Sequence, residues 1–203
     1  MVLETPIVFD DYHHLAKLDF QGMRLVIFEG MSGSGKTTAI EYLCREHPQF
    51  RDCHPRILRL ARPHCRLHAI RDELVVLDDV RWLQQLLAVA QLLQSGNTVL
   101  VASHLSSRWF LPLACLWKSR WFVMDRDQAK IERYLTRRQV TFTQQAVVRY
   151  CQVFGANYAD VDLILEHCPA QNFDAALGYF LKFCRRELSP NPDHATTGEH
   201  LAE

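Results

Sequence analysis

Residues 25–43, "LVIFEGMSGSGKTTAIEYL", constrain the fold of this chain more than any other segment. The apolar run over 23–29 stops at a glycine-rich turn, and the residues from 37 to 45 continue with helical spacing through Ile40, Leu43 and Cys44. This pattern predicts a strand buried on both faces, a tight turn and a helix. Such a unit is typical of the beginning of an α/β fold.

Four further apolar segments predict strands, at residues 56–60, 73–79, 98–103 and 120–125. Between the second and the third of these, the spacing of apolar residues predicts a helix that ends near Ser95 and Gly96. Its predicted apolar face consists of Leu83, Leu86, Leu87, Ala90 and Leu93. Strands that alternate with helices or long connections predict parallel β-α-β units and a sheet covered on both faces.

The turn itself carries a phosphate-binding pattern, because its residues satisfy G-x-x-x-x-G-K-[ST]. Glycines allow backbone N–H groups to converge on a phosphate, and the helix that follows adds the positive end of its dipole. We expect Lys36 to bridge the β- and γ-phosphates and Thr37 to bind Mg²⁺. The residues predicted to contact the nucleotide are Gly30, Ser32, Gly33, Ser34, Gly35, Lys36, Thr37 and Thr38.

This motif, with a strand before it and a helix after it, resembles that of the P-loop NTPases over roughly residues 23–125. The resemblance implies a three-layer α/β core with a parallel sheet, and ATP and Mg²⁺ as the bound molecules. It also implies a nucleotide-binding domain over residues 1–125.

Two acids end the predicted strand at 73–79, and their roles follow from the same resemblance. Asp78 is similar to the Walker B carboxylate that holds Mg²⁺. Asp79 lies where additional-strand ATPases, including the AAA+ and ABC families, carry a glutamate that polarises the attacking water. Aspartate is one methylene shorter, and an alternative role for both acids is to cap the following helix.

The strand at 98–103 ends in "ASHL", so Ser103 and His104 are both candidates to sense the γ-phosphate. Parallel strands deliver their carboxyl ends to one edge of the sheet, so the loop, the acids and this tip can meet only if their strands are neighbours. The additional-strand topology implies that the strand at 98–103 lies between the other two. An ABC-type signature segment is missing between Lys36 and Asp78, which favours an AAA+-like protein.

Helical periodicity dominates after residue 125, over 128–138, 143–154 and 173–186, with Thr143 and Asn172 as N-cap candidates. We expect a helical lid over residues 126–188, similar to an AAA+ lid. The polar and proline-bearing residues 189–203 predict a disordered tail.

A weaker resemblance to thymidylate and deoxynucleoside kinases must also be considered. It is carried by "VIFEGMSGSGKTT" and "LLQSGNTVLVASHLSS", and by arginines 133, 137 and 138 in a possible lid. In that alignment the catalytic Asp-Arg pair is replaced by Ser103 and His104. The discriminating feature is "ELVVLDD", because the kinases have a helix there and the additional-strand ATPases have a strand.

Residues 44–68 contain several cysteines and histidines, which raises the possibility of a zinc site. Cys44 and His47 end a helix that leads away from the phosphate edge, whereas His64 and Cys65 follow a strand that returns to it. The two groups should therefore be separated by about 16 Å, too far for one zinc ion. The arginines of this segment could contact nucleic acid, but it lacks an aromatic platform for bases.

Composition limits the partners and the compartment. The chain has 23 basic and 23 acidic residues, so no overall charge draws it to nucleic acid or lipid. The sequence lacks a membrane-length apolar run, and its seven cysteines are spaced irregularly, which predicts a soluble cytoplasmic protein with reduced thiols.

Together these features predict a Mg²⁺-dependent ATPase that switches or loads an unidentified protein partner and that could form a homo-oligomer. The alternatives are a nucleoside or nucleotide kinase, and a nucleotide-binding scaffold that does not hydrolyse.

Overall fold

The computed structural model describes residues 14–59, 67–124, 128–167 and 172–187. Its strands form one five-stranded sheet in which every neighbouring pair is parallel, in the order β2-β3-β4-β1-β5. The strands are β1 (Leu25–Glu29), β2 (Arg56–Arg59), β3 (Leu74–Val80), β4 (Thr98–Ser103) and β5 (Ser119–Val123). The predicted parallel α/β sheet is confirmed, and β4 lies between β1 and β3 as expected.

Helices cover both faces of this sheet. Helix α1 (Lys36–Glu46) packs on one face, where Val26 and Phe28 point. Helices α2 (Gln85–Gln94) and α3 (Leu111–Leu116) pack on the other face, where Leu25 and Ile27 point. The side chains of β1 are buried on both sides because they alternate between these two cores, which explains its continuous apolar sequence.

The helices that follow β5 pack around a third core of their own. They are α4 (Gln128–Arg137), α5 (Gln144–Phe154), α6 (Tyr158–His167) and α7 (Phe173–Glu187). The two predicted N-caps are confirmed, because the Thr143 hydroxyl accepts a hydrogen bond from the backbone N–H of Ala146 and Asn172 Oδ1 accepts one from the N–H of Asp174. Helix α6 was not predicted from the sequence.

The predicted apolar face of α2 is correct only in part: Leu93 is buried, and Leu86 and Ala90 are partly buried against the same core. The helix buries Ala88, Val89, Leu92 and Leu93, whereas Leu83, just before it, and Leu87 are exposed. Apolar residues occupy almost every side of α2, so their spacing does not select one face. The side that meets the sheet is set instead by tertiary packing.

Several sequence predictions lie outside the described residues. These are the ends of two strands at Leu60 and Asp125, the candidate ligands His64 and Cys65, and the tail at 189–203. In the described parts of the chain, the helices are too short or too polar to span a lipid bilayer.

Asn97 fixes the strands that carry the candidate site. Its side chain is fully buried; Nδ2 donates to the carbonyls of Ile70 and Leu92, both at 2.9 Å, and Oδ1 accepts from the N–H of Glu73 at 2.9 Å. These bonds join the residue before β3, the end of α2 and the residue before β4. They therefore help to set the register of β3 against β4.

We expect Asn97→Ala to lower the free energy of unfolding by about 2–4 kcal/mol, because it removes three hydrogen bonds and leaves buried backbone groups without partners. Urea denaturation measures this. The exposed Gln94, at the end of α2, provides a control: Gln94→Ala should change the free energy by less than about 0.5 kcal/mol. An equal effect of the two substitutions would contradict the structural role of Asn97.

Candidate functional site

The glycine-rich loop curves around the ammonium group of Lys36. Lys36 Nζ donates to the carbonyl of Gly30 at 2.8 Å and to that of Met31 at 2.6 Å, and its side chain is buried. Gly33 and Gly35 have φ values of 75° and 90°, in the left-handed region that glycine adopts without strain. The loop is thus already closed around its lysine, with the N-terminus of α1 directly behind it.

The two acids reach the same edge of the sheet through a β-bulge. Leu77 pairs with Val101 and Val80 pairs with Ser103, so β3 contains one residue more than β4 between these pairs. Asp79 lies within this irregularity and has a φ of 67°, which is unusual for a residue other than glycine. The bulge allows both carboxylates to line the cleft, although they are consecutive in a strand.

A cleft of about 530 Å³ lies at this edge. Residues 32–38 of the loop and of the first turn of α1 form one wall. The other residues that line it are Arg59, Asp78, Asp79, Arg81, His104, Tyr158, Ala159 and Asp162. The predicted loop, both predicted acids and His104 are therefore brought together.

Thr37 and Asp78 form an adjacent pair of oxygen groups. Thr37 Oγ1 donates to Asp78 Oδ1 at 3.2 Å, and Arg59 Nε lies 3.4 Å from Asp78 Oδ2. A hydroxyl and a carboxylate suit Mg²⁺, which usually takes one or two protein ligands and completes its shell with water and phosphate. The residues that were predicted to hold Mg²⁺ therefore fit this ion in chemistry and in position.

Asp79 is bound by two side chains at a single oxygen. Its Oδ1 accepts from Arg81 Nε at 2.7 Å and lies 3.1 Å from His104 Nε2. The hydrogen bond from Arg81 is the main cause that lowers the pKa of Asp79. Burial, followed by the charge of Lys36, lowers the pKa of His104 despite the opposing effect of Asp79. At neutral pH, Asp79 is therefore an ionised acceptor and His104 is a neutral donor.

Two predicted site residues lie outside this cleft. The Ser103 hydroxyl is buried, donates to the carbonyl of Leu105 at 3.0 Å and accepts from its N–H at 2.9 Å. Gly30 lies beneath the loop, where its carbonyl accepts from Lys36. Of the two side chains proposed at the tip of β4, His104 lines the cleft and Ser103 stabilises the turn.

Helix α6 contacts the loop directly, and sequence reasoning missed it. The N–H of Tyr158 donates to the carbonyl of Gly33 at 3.0 Å. The signals for the start of α6 are present in "GANYAD": Gly155 ends α5, Asn157 Oδ1 accepts from the N–H of Ala159, and Asp160 lies in the first turn.

Helix α4 reaches the loop through a fully buried lysine. Lys130 Nζ donates to the carbonyl of Ser34 at 3.0 Å and to that of Met124, and it lies 4.7 Å from the centre of the Tyr158 ring. Two helices of the C-terminal core therefore hold three consecutive loop residues, Gly33, Ser34 and Gly35, the last of which lies against the Tyr158 ring.

In the described part of the cysteine- and histidine-rich segment, His47 and Cys44 pack into the protein, whereas Cys53 and His54 are exposed. His47 is buried, with Nε2 3.0 Å from the carbonyl of Leu18 and its ring edge against Phe20. Burial raises the pKa of the Cys44 thiol to about 11. Over residues 14–59, 67–124, 128–167 and 172–187, no three His, Cys, Asp or Glu side chains group so that they could hold a metal ion.

No model of a known protein family matches this sequence, and no curated protein matches it. The sheet is compatible with many Rossmann-like folds.

We expect Gly33→Ala to lower the free energy of unfolding by about 1–3 kcal/mol, because a left-handed alanine is strained. The added Cβ would also lie 2.3 Å from Asn157 Oδ1 and 2.6 Å from the Cβ of Ala159, which would push α6 from the loop. Urea denaturation measures the change.

Gly178 in α7 is the matched control, because a Cβ there meets nothing within 4 Å. Gly178→Ala should stabilise the protein by about 0.5–1 kcal/mol, since alanine favours helix. If Gly33→Ala is as stable as the parent protein, the described contact between α6 and the loop is incorrect.

Proposed function

We propose that this protein is a Mg²⁺-dependent ATPase, a P-loop NTPase of the additional-strand division with an AAA+-like helical lid. The observation that carries the proposal is the position of β4 between β1 and β3. This order brings the side chains from three strands into one cleft. They are Lys36 and Thr37 after β1, Asp78 and Asp79 in β3, and His104 after β4.

Each of these residues has a role that its chemistry supports. The N–H groups of the loop and Lys36 bind the β- and γ-phosphates, and Thr37 and Asp78 hold Mg²⁺, which neutralises phosphate charge when it is bound. Asp79 orients a water molecule toward the γ-phosphorus and accepts its proton. His104 has a single N–H donor as a neutral imidazole; its Nε2 lies 3.1 Å from Asp79 without nucleotide and would turn to the γ-phosphate when ATP binds.

The contacts of α4 and α6 support a switch function. Because the phosphate-binding loop shares hydrogen bonds with Tyr158 and Lys130, a change in the loop's phosphate occupancy alters the restraints on both helices. We propose that hydrolysis changes how the lid helices contact an unidentified macromolecule or a second copy of the chain.

The kinase alternative is disfavoured by one specific feature. Residues Leu74–Val80 form a strand, whereas the kinases that this sequence resembles have a helix there.

We expect Asp79→Asn to reduce phosphate release from Mg·ATP by at least about 100-fold, because the variant lacks the group that accepts the proton. The variant should still bind nucleotide. A colorimetric phosphate assay and calorimetric titration measure the two quantities. Transfer of phosphate to thymidine or to a nucleoside monophosphate would instead establish the kinase alternative.

We expect Lys36→Ala to weaken Mg·ATP binding by about 10- to 100-fold, since charge-assisted hydrogen bonds to phosphate are lost. Equilibrium titration with a fluorescent ATP analogue measures the affinity. A variant that binds as tightly as the parent protein would refute the assignment of the loop. If the parent protein binds Mg·ATP but does not hydrolyse it, the remaining alternative is a nucleotide-binding scaffold.

A further inference from the structure

Arg81 also lines the cleft, beside the residues proposed to carry out hydrolysis. It follows β3 directly, its Nε donates to Asp79 Oδ1 at 2.7 Å, and its side chain is 54% exposed. It shares the cleft with Lys36 and Thr37, the residues proposed to bind phosphate and Mg²⁺. A half-exposed guanidinium group therefore lies beside both the proposed water-orienting carboxylate and the phosphate-binding loop.

The backbone of Arg81 is fixed, although its side chain is not enclosed. The N–H groups of Arg81 and Trp82 both donate to Gln85 Oε1 at 2.8 Å, and Gln85 is buried on α2. The side chain therefore has a fixed point of attachment at the edge of the cleft. Its guanidinium can exchange one anionic partner for another without movement of the sheet.

The charges around the cleft favour such an exchange. Among the lining residues described, Lys36, Arg59 and Arg81 are balanced by Asp78, Asp79 and Asp162. Mg·ATP would add net negative charge to this balance. Because the planar guanidinium group binds phosphate oxygens with paired hydrogen bonds, Arg81 is suited to the γ-phosphate as well as to Asp79.

We propose, on the basis of the proposed ATPase function, that Arg81 binds the γ-phosphate within the same chain and so releases Asp79 to orient the attacking water. Without nucleotide, Arg81 donates to one carboxylate oxygen of Asp79, which His104 also contacts. With ATP, the guanidinium moves to the γ-phosphate oxygens and stabilises their charge during transfer.

The chemical step balances without any further reactant. The water oxygen forms a bond to the γ-phosphorus while the bond from that phosphorus to the bridging oxygen breaks. The bridging oxygen keeps the electron pair and leaves as part of ADP, and Asp79 accepts the proton from water. Arg81 takes part only through hydrogen bonds to the γ-phosphate oxygens.

The test compares ATP and ADP, because only ATP carries the group that Arg81 is proposed to bind. Arg81→Ala is introduced into the Asp79→Asn background, where ATP stays intact and Arg81 has no carboxylate to hold at position 79. Calorimetric titration should show that ATP affinity falls at least about tenfold and ADP affinity changes less than about twofold.

In the protein with Asp79 intact, Arg81→Ala should lower kcat about 1,000-fold or more, and Arg81→Lys should recover part of it.

Arg51→Ala is the matched control. Arg51 is similarly exposed, lies 3.8 Å from the carboxylate of its neighbour Asp52 and does not line the cleft. This control should leave both affinities and kcat unchanged. Unchanged ADP affinity in Arg81→Ala also verifies that the variant is folded.

Two outcomes would overturn the proposal in different ways. In the first, Arg81→Ala changes the affinities for ATP and ADP equally, or changes neither affinity nor kcat. Arg81 then does not bind the γ-phosphate, while the ATPase function stands. If the protein with native residues at all these positions binds neither nucleotide, the ATPase function itself is contradicted and the role of Arg81 falls with it.

Discussion

The pairing of β4 between β1 and β3 is the constraint on which the cleft depends. At the carboxyl edge, the N–H of Gly30 donates to the carbonyl of Ser103 at 3.1 Å and the N–H of His104 donates to that of Val80 at 2.8 Å. These bonds attach the start of the loop to the tip of β4, and that tip to the end of β3. The glycine-rich loop and the two acids are far apart in the sequence. They face the same cleft because β4 pairs with the strands that carry both.

The β-bulge adds chemistry that a regular strand would not provide. In a regular strand, consecutive side chains point to opposite faces, so two adjacent acids could not both line one cleft. The left-handed backbone at Asp79 redirects its carboxylate toward Arg81 and His104. Strained backbone of this kind persists only where surrounding contacts stabilise it, and it often occurs at functional sites. Here the strain lies at the residue that we propose orients water.

The sequence predicted the sheet well because β1, β3 and β4 are short apolar runs that end at a turn or a polar residue. It predicted the buried face of α2 only in part, since that helix is apolar on most sides. The start of α6 had local signals at Asn157, but its importance comes from contact with Gly33, which is distant in sequence. The pairing of Arg81 with Asp79 was not predicted either, because it depends on a bulge that no local pattern revealed. Local patterns therefore located the elements, whereas the relations between them required the tertiary structure.

We propose that this cleft directs water to the γ-phosphorus of ATP. The most direct measurement is hydrolysis of Mg·ATP in water enriched in ¹⁸O, followed by mass spectrometry of the released phosphate. Attack by water on the γ-phosphorus predicts that each phosphate carries one oxygen from the solvent. Absence of released phosphate, or a phosphoryl group found on a nucleoside or nucleoside monophosphate, would contradict the account.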